Sequence, residues 1–345
     1  VARIFIDINH PAYFHFFRPF ILQMQQKGHT FFLAVRNKDV LPELTGFAGL
    51  KYYEKPALPK DFWPRLFFLL HEFRILYNRL RSFKPSLIMG FSPYAAILSF
   101  ILSRPFIAFE DTELSDMDHL LFRLFAKKIF TPACFKKSLG KKQIRFNGYK
   151  ELAYLHPSVF APDKAVRHEM GLADHEKYVI CRFVAWGARH DQGHTGINPA
   201  NKLAAVKAFS HYARVFISSE LPLDVALDAY RFPLGAHRLH HALAFASLMF
   251  GESSTMAAEA AVLGVPSVYV DNEGRGYTDD IEHRYGLIQR FGESEVQQIQ
   301  AINRAVQILA DPTAANKARN ASLKLISEHT DITAIFMQMV ETEFK

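Results

Sequence analysis

Only two cysteines, Cys134 and Cys181, occur in 345 residues, far apart and in no metal-ligand spacing. That scarcity excludes a secreted disulfide framework and makes a reducing cytoplasm the expected compartment. Low-complexity tracts and repeats of solenoid period are also missing, which excludes disordered and solenoid classes. The longest charge-free run, Pro85 to Ser103, is interrupted by Gly90, Ser92 and Pro93. It reads as a buried strand, a turn and a buried helix, not as a membrane span. The opening Val-Ala-Arg-Ile-Phe-Ile-Asp begins at once as a strand and has no apolar signal-peptide core. No helix-turn-helix or RNA-binding signature is present, so nucleic acid is not an expected partner.

The composition that remains, 49% apolar and 22% charged, is that of a folded globular chain. Its length exceeds one ordinary domain of roughly 100–200 residues and predicts two. The halves differ. Residues 1–160 hold 23 Lys/Arg against 12 Asp/Glu, a balance of +11, and 23 of the 32 phenylalanines. Residues 161–345 hold 18 against 22, a balance of −4. A basic, Phe-rich half suits an anionic lipid or a phosphorylated substrate, or is solubility charge around a Phe-rich core. Gly148, Pro157 and Pro162 punctuate the junction. The expected division is an N-terminal domain over 1–155, a C-terminal domain over 156–325, and a final helix over 326–345 that packs back on the first domain.

Strand and helix patterns alternate in both halves. Strands are read at Arg3–Asp7, Thr30–Val35, Lys51–Tyr53, Leu87–Gly90, Phe106–Phe109 and Lys128–Thr131, then at Tyr178–Val184, Arg214–Ser218, Leu248–Phe250 and Ser267–Val270. Helix-length segments separate them, which implies βαβ crossovers and parallel sheets. Helices dominate from Asp279 onward. Two Rossmann-like halves in tandem predict an α/β fold with a ligand cleft at the carboxyl ends of both sheets.

Four segments carry chemistry. In Phe250-Gly-Glu-Ser-Ser-Thr-Met-Ala-Ala-Glu-Ala-Ala-Val-Leu-Gly-Val-Pro266, a strand ends, Gly251 turns, and Ser253, Ser254 and Thr255 open a helix. Free backbone N–H groups and the helix dipole favour a diphosphate there. Glu259, about one turn on, is placed to accept from ribose hydroxyls. The Arg182-Phe-Val-Ala-Trp-Gly-Ala-Arg-His-Asp-Gln-Gly-His-Thr-Gly196 loop brings Arg182, Arg189 and His190 toward a leaving diphosphate. Gly193 works against a helix aligning His190 and His194, so no metal site is expected. In Asp7-Ile-Asn-His-Pro-Ala-Tyr-Phe-His15, either His10 or His15 is a candidate general base, since imidazole titrates near neutrality. Glu110, Asp111 and Glu113 follow a strand end and are candidates for sugar contacts or base catalysis. The helix over 62–81 has a core stripe of Phe62, Leu66, Leu69, Phe73, Leu76 and Leu80, and an opposite side with Trp63, Phe67, Arg74 and Arg81 that suits a lipid surface.

Ile6-Asp-Ile-Asn-His-Pro-Ala12, Phe146-Asn-Gly-Tyr-Lys-Glu-Leu-Ala-Tyr154, Arg182-Phe-Val-Ala-Trp186 with His190, Asp191 and Gly193, and Gly251 to Pro266 together resemble a prokaryotic family. It is the family catalogued as domain of unknown function three hundred and fifty-four, which looks like a branch of the GT-B superfamily. Its characterised relatives are the UDP-N-acetylglucosamine 2-epimerases and the N-acetylglucosaminyl transferase of peptidoglycan synthesis. The resemblance implies phosphate contacts for Ser253, Ser254 and Thr255, a ribose contact for Glu259, a histidine-bearing loop at Arg189-His190-Asp191, and an acidic catalytic residue at Asp111. One departure stands out. Epimerases carry a further aspartate at the preceding strand end, and no Asp or Glu lies between Lys84 and Arg104 here.

The expected function is therefore a metal-independent, cytoplasmic GT-B glycosyltransferase, with 62–81 as the segment for peripheral contact at the inner face of the membrane. It would need no cofactor and would move a sugar from a nucleotide-diphosphate sugar, UDP-linked, to a glycan or lipid-linked acceptor. The alternatives are a UDP-N-acetylhexosamine 2-epimerase and a non-catalytic sugar-nucleotide or polyanion-binding protein.

Overall fold

The computed structural model of the chain describes residues 1–59, 61–185 and 194–344, with all their side chains except those of Phe62 and Leu66. The chain divides into two compact units, Val1–Tyr154 with Asp331–Lys345, and Leu155–Thr330.

The first unit is a seven-stranded sheet. Its strands are β1 (Arg3–Ile8), β2 (Thr30–Arg36), β3 (Tyr53–Lys55), β4 (Leu87–Gly90), β5 (Phe106–Phe109), β6 (Lys128–Pro132) and β7 (Gln143–Phe146), in the order β3-β2-β1-β4-β5-β6-β7. Every pairing is parallel. The crossover helices are α1 (Pro11–Gln26), α2 (Leu41–Phe47), α3 (Phe62–Phe83), α4 (Pro93–Ile101) and α5 (Asp116–Phe125). With right-handed crossovers, reversing direction after β3 puts α1 and α2 on one face and α3, α4 and α5 on the other. Packing agrees. Leu76 and Leu80 of α3, Leu98 of α4 and Phe122 of α5 share one core with Phe5, Ile88, Phe106 and Ala108.

Alternation along β5 turns Phe109 to the opposite face, where it packs edge to face with Phe16 and Phe17 of α1. The short α6 (Leu152–Leu155) ends the unit's first segment and α7 (Ala165–Glu169) follows in the second unit.

The second unit holds β8 (Tyr178–Phe183), α8 (Pro199–Ser210), β9 (Arg214–Ser219), α9 (Val225–Asp228), α10 (Leu239–Leu243), β10 (Leu248–Gly251), α11 (Ser254–Val262), β11 (Ser267–Val270), α12 (Gly276–Tyr285), β12 (Ile288–Phe291), α13 (Glu295–Ala310) and α14 (Ala314–Glu328). Its five parallel strands run β12-β11-β10-β8-β9. The chain then returns to the first unit as α15 (Ile332–Glu343), whose Phe336 packs on Phe16, Phe20, Phe109 and Phe130.

Three strands depart from the sequence reading. β3 lies two residues later than expected, and β7 and β12 were not expected at all. All three are short edge strands in which polar residues interrupt the apolar run, so they carry little periodic signal.

The shift of β3 matters, because it buries Lys55. Lys55 Nζ bonds Asp7 at the end of β1 and Asn9 Oδ1 at 2.6 Å, and lies 3.9 Å from Glu72 of α3. Glu72 in turn takes a two-pronged contact from Arg36 at the end of β2. Asp7 is thus part of a buried, charge-balanced network that ties α3 to the carboxyl edge of the sheet.

Among the described residues no helix is long and apolar enough to cross a membrane. The charge-free run over 85–103 resolves into β4 and α4.

Candidate functional site

In the second unit, polar groups gather at the carboxyl edge where β10 and β11 hand over to α11 and α12. Gly251 ends β10 against β8. A Cβ there would lie 2.0 Å from the Arg182 carbonyl oxygen, so only glycine fits the approach. Ser253 caps α11, accepting from Met256 N at 3.2 Å. The Ser254 hydroxyl accepts from Tyr277 Oη at 3.1 Å, which joins the first turn of α11 to the first turn of α12. Arg275 caps α12 and donates from Nη1 to Asp271 Oδ2 at 2.8 Å. Two neighbouring helix N-termini, three half-exposed hydroxyls (Ser253, Ser254, Thr255) and one guanidinium therefore share a single strand edge. Such an edge is electrostatically set for an anion.

Glu259 lies deeper on α11 and is buried, with His240 Nε2 of α10 at 3.0 Å from its Oε1. Arg182 lies on β8 and is held by Ser218 at 2.9 Å and Glu220 at 2.6 Å. Arg189 and His190 lie outside the described residues, as do Asp191 and Gly193.

The two flanks of that segment are clamped by carboxylates. Glu252 accepts from Val184 N at 2.9 Å and Ile197 N at 2.7 Å. Glu293 accepts from Thr195 N at 2.6 Å and Gly196 N at 3.0 Å, and pairs with the His194 ring. Burial opposes the Glu293 charge, but His194 and the backbone donors outweigh it and hold its pKa below the ordinary range. The same contact raises His194.

His194, Asp271 and Glu293 present ligand atoms within 4.8 Å of one another. Their oxygens are nevertheless already engaged, Glu293 by His194 and the backbone and Asp271 by Arg275 and Glu273 N. The arrangement is that of an ion-pair clamp on Thr195 and Gly196.

In the first unit a second polar cluster sits at the carboxyl ends of β5 and β7. His10 caps α1 through Nδ1, which accepts from Ala12 N at 3.1 Å, and His15 stacks on Tyr154 at 5.4 Å. Asp111, the expected catalytic acid, accepts from Lys150 Nζ at 2.5 Å. Glu113 accepts from Lys136 N at 2.9 Å.

Three groups that burial raises lie beside Asp111. Glu110 is buried, accepts from the N–H groups of Asp111 and Thr112 at 3.0 Å each, and is raised well above the carboxylate range by burial and then by Asp111. Glu151 is also buried. Its Oε1 lies 3.0 Å from Lys150 Nζ, off hydrogen-bond alignment, and neither oxygen has a hydrogen-bond partner among the described residues. Burial raises it to about 7. Tyr13, stacked face to face on Phe91 at 4.1 Å, is raised by burial and by the Asp111 and Glu110 charges.

Of the residues that the sequence singles out, Gly251 ends β10, Ser253 caps α11, Ser254 and Thr255 open it, His10 caps α1 and His15 lies on α1. Sequence reasoning assigned no role to His240, Glu252, Arg275, Tyr277, Glu293, Lys150 or Glu151. Lys150 and Glu151 fall within the Phe146–Tyr154 stretch that carried the family resemblance, which was their one available signal.

No family model and no curated protein matches the chain. Solved structures do. A Listeria monocytogenes protein assigned as a UDP-N-acetylglucosamine 2-epimerase matches with a TM-score of 0.70 at 13% identity, over 100% of this chain and 97% of that one. The UDP-GlcNAc 2-epimerase of Neisseria meningitidis, solved with UDP-GlcNAc bound, gives 0.63 at 13% identity, over 94% and 98%. The spinosyn rhamnosyltransferase SpnG, solved with thymidine diphosphate, gives 0.63 at 15% identity, over 99% and 100%. At these identities the likeness is one of fold. With its two all-parallel sheets and chain-long likeness to both groups, the molecule has the GT-B fold.

Proposed function

We propose that the chain is a GT-B glycosyltransferase that takes its sugar from a nucleotide-diphosphate donor, UDP-linked, and passes it to a glycan or lipid-linked acceptor. One observation carries the reading: Tyr277 ties the starts of α11 and α12 together at Ser254, with Arg275 and the His240–Glu259 pair beside them. A diphosphate would take the N–H groups of α11 and the hydroxyls of Ser253, Ser254 and Thr255, with Arg275 and Arg189 countering its charge. Glu259, oriented by His240, would accept from the ribose hydroxyls. These groups balance the leaving diphosphate without calling on a metal ion. In the first unit His10 or His15 would deprotonate the acceptor, with Asp111 held in place by Lys150. The motifs at Ile6–Ala12 and Gly251–Pro266 support placing the chain in domain of unknown function three hundred and fifty-four. Fold analogy to UDP-sugar enzymes supports the donor class and leaves the activity to the site.

The epimerase reading keeps one specific support. Glu110 and Glu151 are two buried carboxyl groups held toward the protonated form, and epimerisation must remove and return a proton at carbon. Calorimetric titration of UDP, GDP, dTDP and CMP and their sugars against wild type and Glu259→Ala tests the donor site. Selective binding lost in the variant supports it, and no binding to any member removes it. Incubating the bound UDP-sugar without acceptor separates the two activities: a 2-epimer product supports the epimerase, and an unchanged sugar the transferase.

A further inference from the structure

The three helices α3, α4 and α5 cover one face of the first unit's sheet, and their outer surface is unusual. Along α3, Trp63, Phe67, Leu70, Arg74, Asn78 and Arg81 follow one another at spacings of three and four and so form a single stripe. Trp63, Phe67 and Leu70 are 65%, 67% and 60% exposed. They are not displaced core residues, because the inward side of α3 supplies the buried Leu76 and Leu80.

The layer continues through Tyr94 of α4, which packs edge-on to Phe73 of α3. Phe100 and Ile101 at the end of α4, and Met117, Leu120 and Leu124 on α5, are also exposed, and Phe100 packs on Phe125 of α5. Eight large apolar side chains thus crown one helical layer, where a monomer normally scatters them singly.

The charge around them has one dominant sign. Glu72, the single acid of α3, is buried against Arg36. Every charged residue α3 exposes is basic: Arg65, Arg74, Arg79 and Arg81. Arg104 and Arg123 are exposed beside the α4–α5 part, and the exposed Asp116 there is engaged by Lys137 at 2.6 Å.

We propose that this face is a docking surface for an anionic membrane, in which Trp63, Phe67 and Leu70 enter the interfacial region while the flanking arginines meet lipid phosphates. A helix with aromatic and apolar residues among arginines is what interfacial binding requires. A second copy of the chain is the poorer occupant, since a two-fold interface through this face would set arginine against arginine. The surface stands on its own, whether or not the donor reading does. It also bears on the acceptor. α3 starts just past β3 and α5 just past β5, so Trp63 and Met117 lie toward the carboxyl edge that carries Asp111 and Glu110. Docking would bring that edge toward the bilayer, where a lipid-linked acceptor resides.

The test is flotation of the full chain with vesicles of phosphatidylcholine alone and of phosphatidylcholine mixed with phosphatidylglycerol. Variants are Phe67→Ser with Leu70→Ser, Arg74→Glu with Arg81→Glu, and Val296→Ser as an exposed apolar control in the other unit, each checked for fold by circular dichroism. Wild type and Val296→Ser are expected to float with the anionic vesicles only, in a salt-sensitive way, and each double variant to lose binding by about tenfold or more. In a Trp186→Phe background Trp63 is the sole tryptophan, and its emission is expected to shift to the blue on anionic vesicles. Three results each overturn the proposal. One is an absence of flotation, and another is equal binding to neutral vesicles. The third is a concentration-dependent dimer that Phe67→Ser with Leu70→Ser abolishes while vesicles stay unbound.

Discussion

Tyr277 donates its hydroxyl to Ser254 across 3.1 Å, so the first turns of α12 and α11 are held as one unit at the strand edge. If both helix starts serve one diphosphate, Tyr277→Phe keeps the ring packing and removes the hydroxyl that makes the tie. Nucleotide affinity should fall by about three- to tenfold, the worth of one net hydrogen bond. Ser254→Ala removes the same bond together with its own hydroxyl at the phosphate site, so it should cost more, and adding Tyr277→Phe to it should cost little further. Calorimetry on the four proteins checks this, and additive losses would mean that the two residues act separately.

His240 supports Glu259 from a different helix, at 3.0 Å. His240→Ala would weaken the hold on a buried carboxylate, which should cost about 1–3 kcal/mol of stability. Donor affinity should fall with it, since the carboxylate is no longer aimed. Glu259→Gln keeps shape and one acceptor oxygen, and is expected to bind donor better than Glu259→Ala. Urea denaturation and calorimetry on the three variants separate the structural cost from the binding cost. Equal donor affinity in all of them would remove the ribose role.

How far the sequence led differs between fold and site, for physical reasons. The buried strands β4, β5 and β11 are short runs with no charged residue, and they, like β1 and β8, were read to within about a residue. The edge strands β3, β7 and β12 carry Lys55, Arg145 and Arg290 within short runs and did not stand out. Ser253 to Thr255 were legible because capping chemistry is local. The pairs Tyr277–Ser254, His240–Glu259 and Lys150–Asp111 join residues 19 to 39 positions apart across a sheet edge, and no periodicity announces them. Asp111 shows the limit well. Its place at the end of β5 was visible, but only the fold shows that Lys150 bonds it and that burial raises Glu110 and Glu151 beside it.

The network of Asp7, Lys55, Glu72 and Arg36 is balanced in charge and out of water. Lys55→Met would leave the Asp7 carboxylate without its cation. Removing one partner of a buried pair costs about 3–5 kcal/mol. Adding Asp7→Asn should recover part of that loss, because the stranded charge goes too. Thermal melts of the single and double variants give the sign of the coupling. A double variant as unstable as the sum of the singles would show that the pair is not the source.

The clamp on Thr195 and Gly196 predicts a pH window. His194 is raised above its ordinary 6.5 chiefly by its bond to Glu293, so its contribution is full below 6.5 and is lost as pH rises through the raised value. Glu293 is lowered from 4.5 despite burial, so its contribution is full above 4.5 and is lost as pH falls through the lowered value. Both are present between 4.5 and 6.5. Amide exchange of Thr195 and Gly196 should be slowest there relative to its intrinsic rate, and His194→Gln should flatten the alkaline limb. An unchanged alkaline limb in that variant would show that the pair does not govern these amides.

Glu151 gives the opposite sign. Burial raises it from 4.5 to about 7, so between those values an unfolded chain has lost the proton that the folded chain keeps. The folded state therefore binds more protons, and this residue makes stability fall as pH rises across that interval. Glu151→Gln cannot ionise, so its denaturation free energy should fall less steeply between about 4.5 and about 7, and the variant should gain on wild type toward alkaline pH. If Glu151 also carries a proton during turnover, the same substitution should erase a limb near pH 7 from the kcat/KM profile. A stability change without a profile change would mark a buried acid that only packs. Loss of the limb together with the stability gain would make it a proton carrier at the same edge as Asp111.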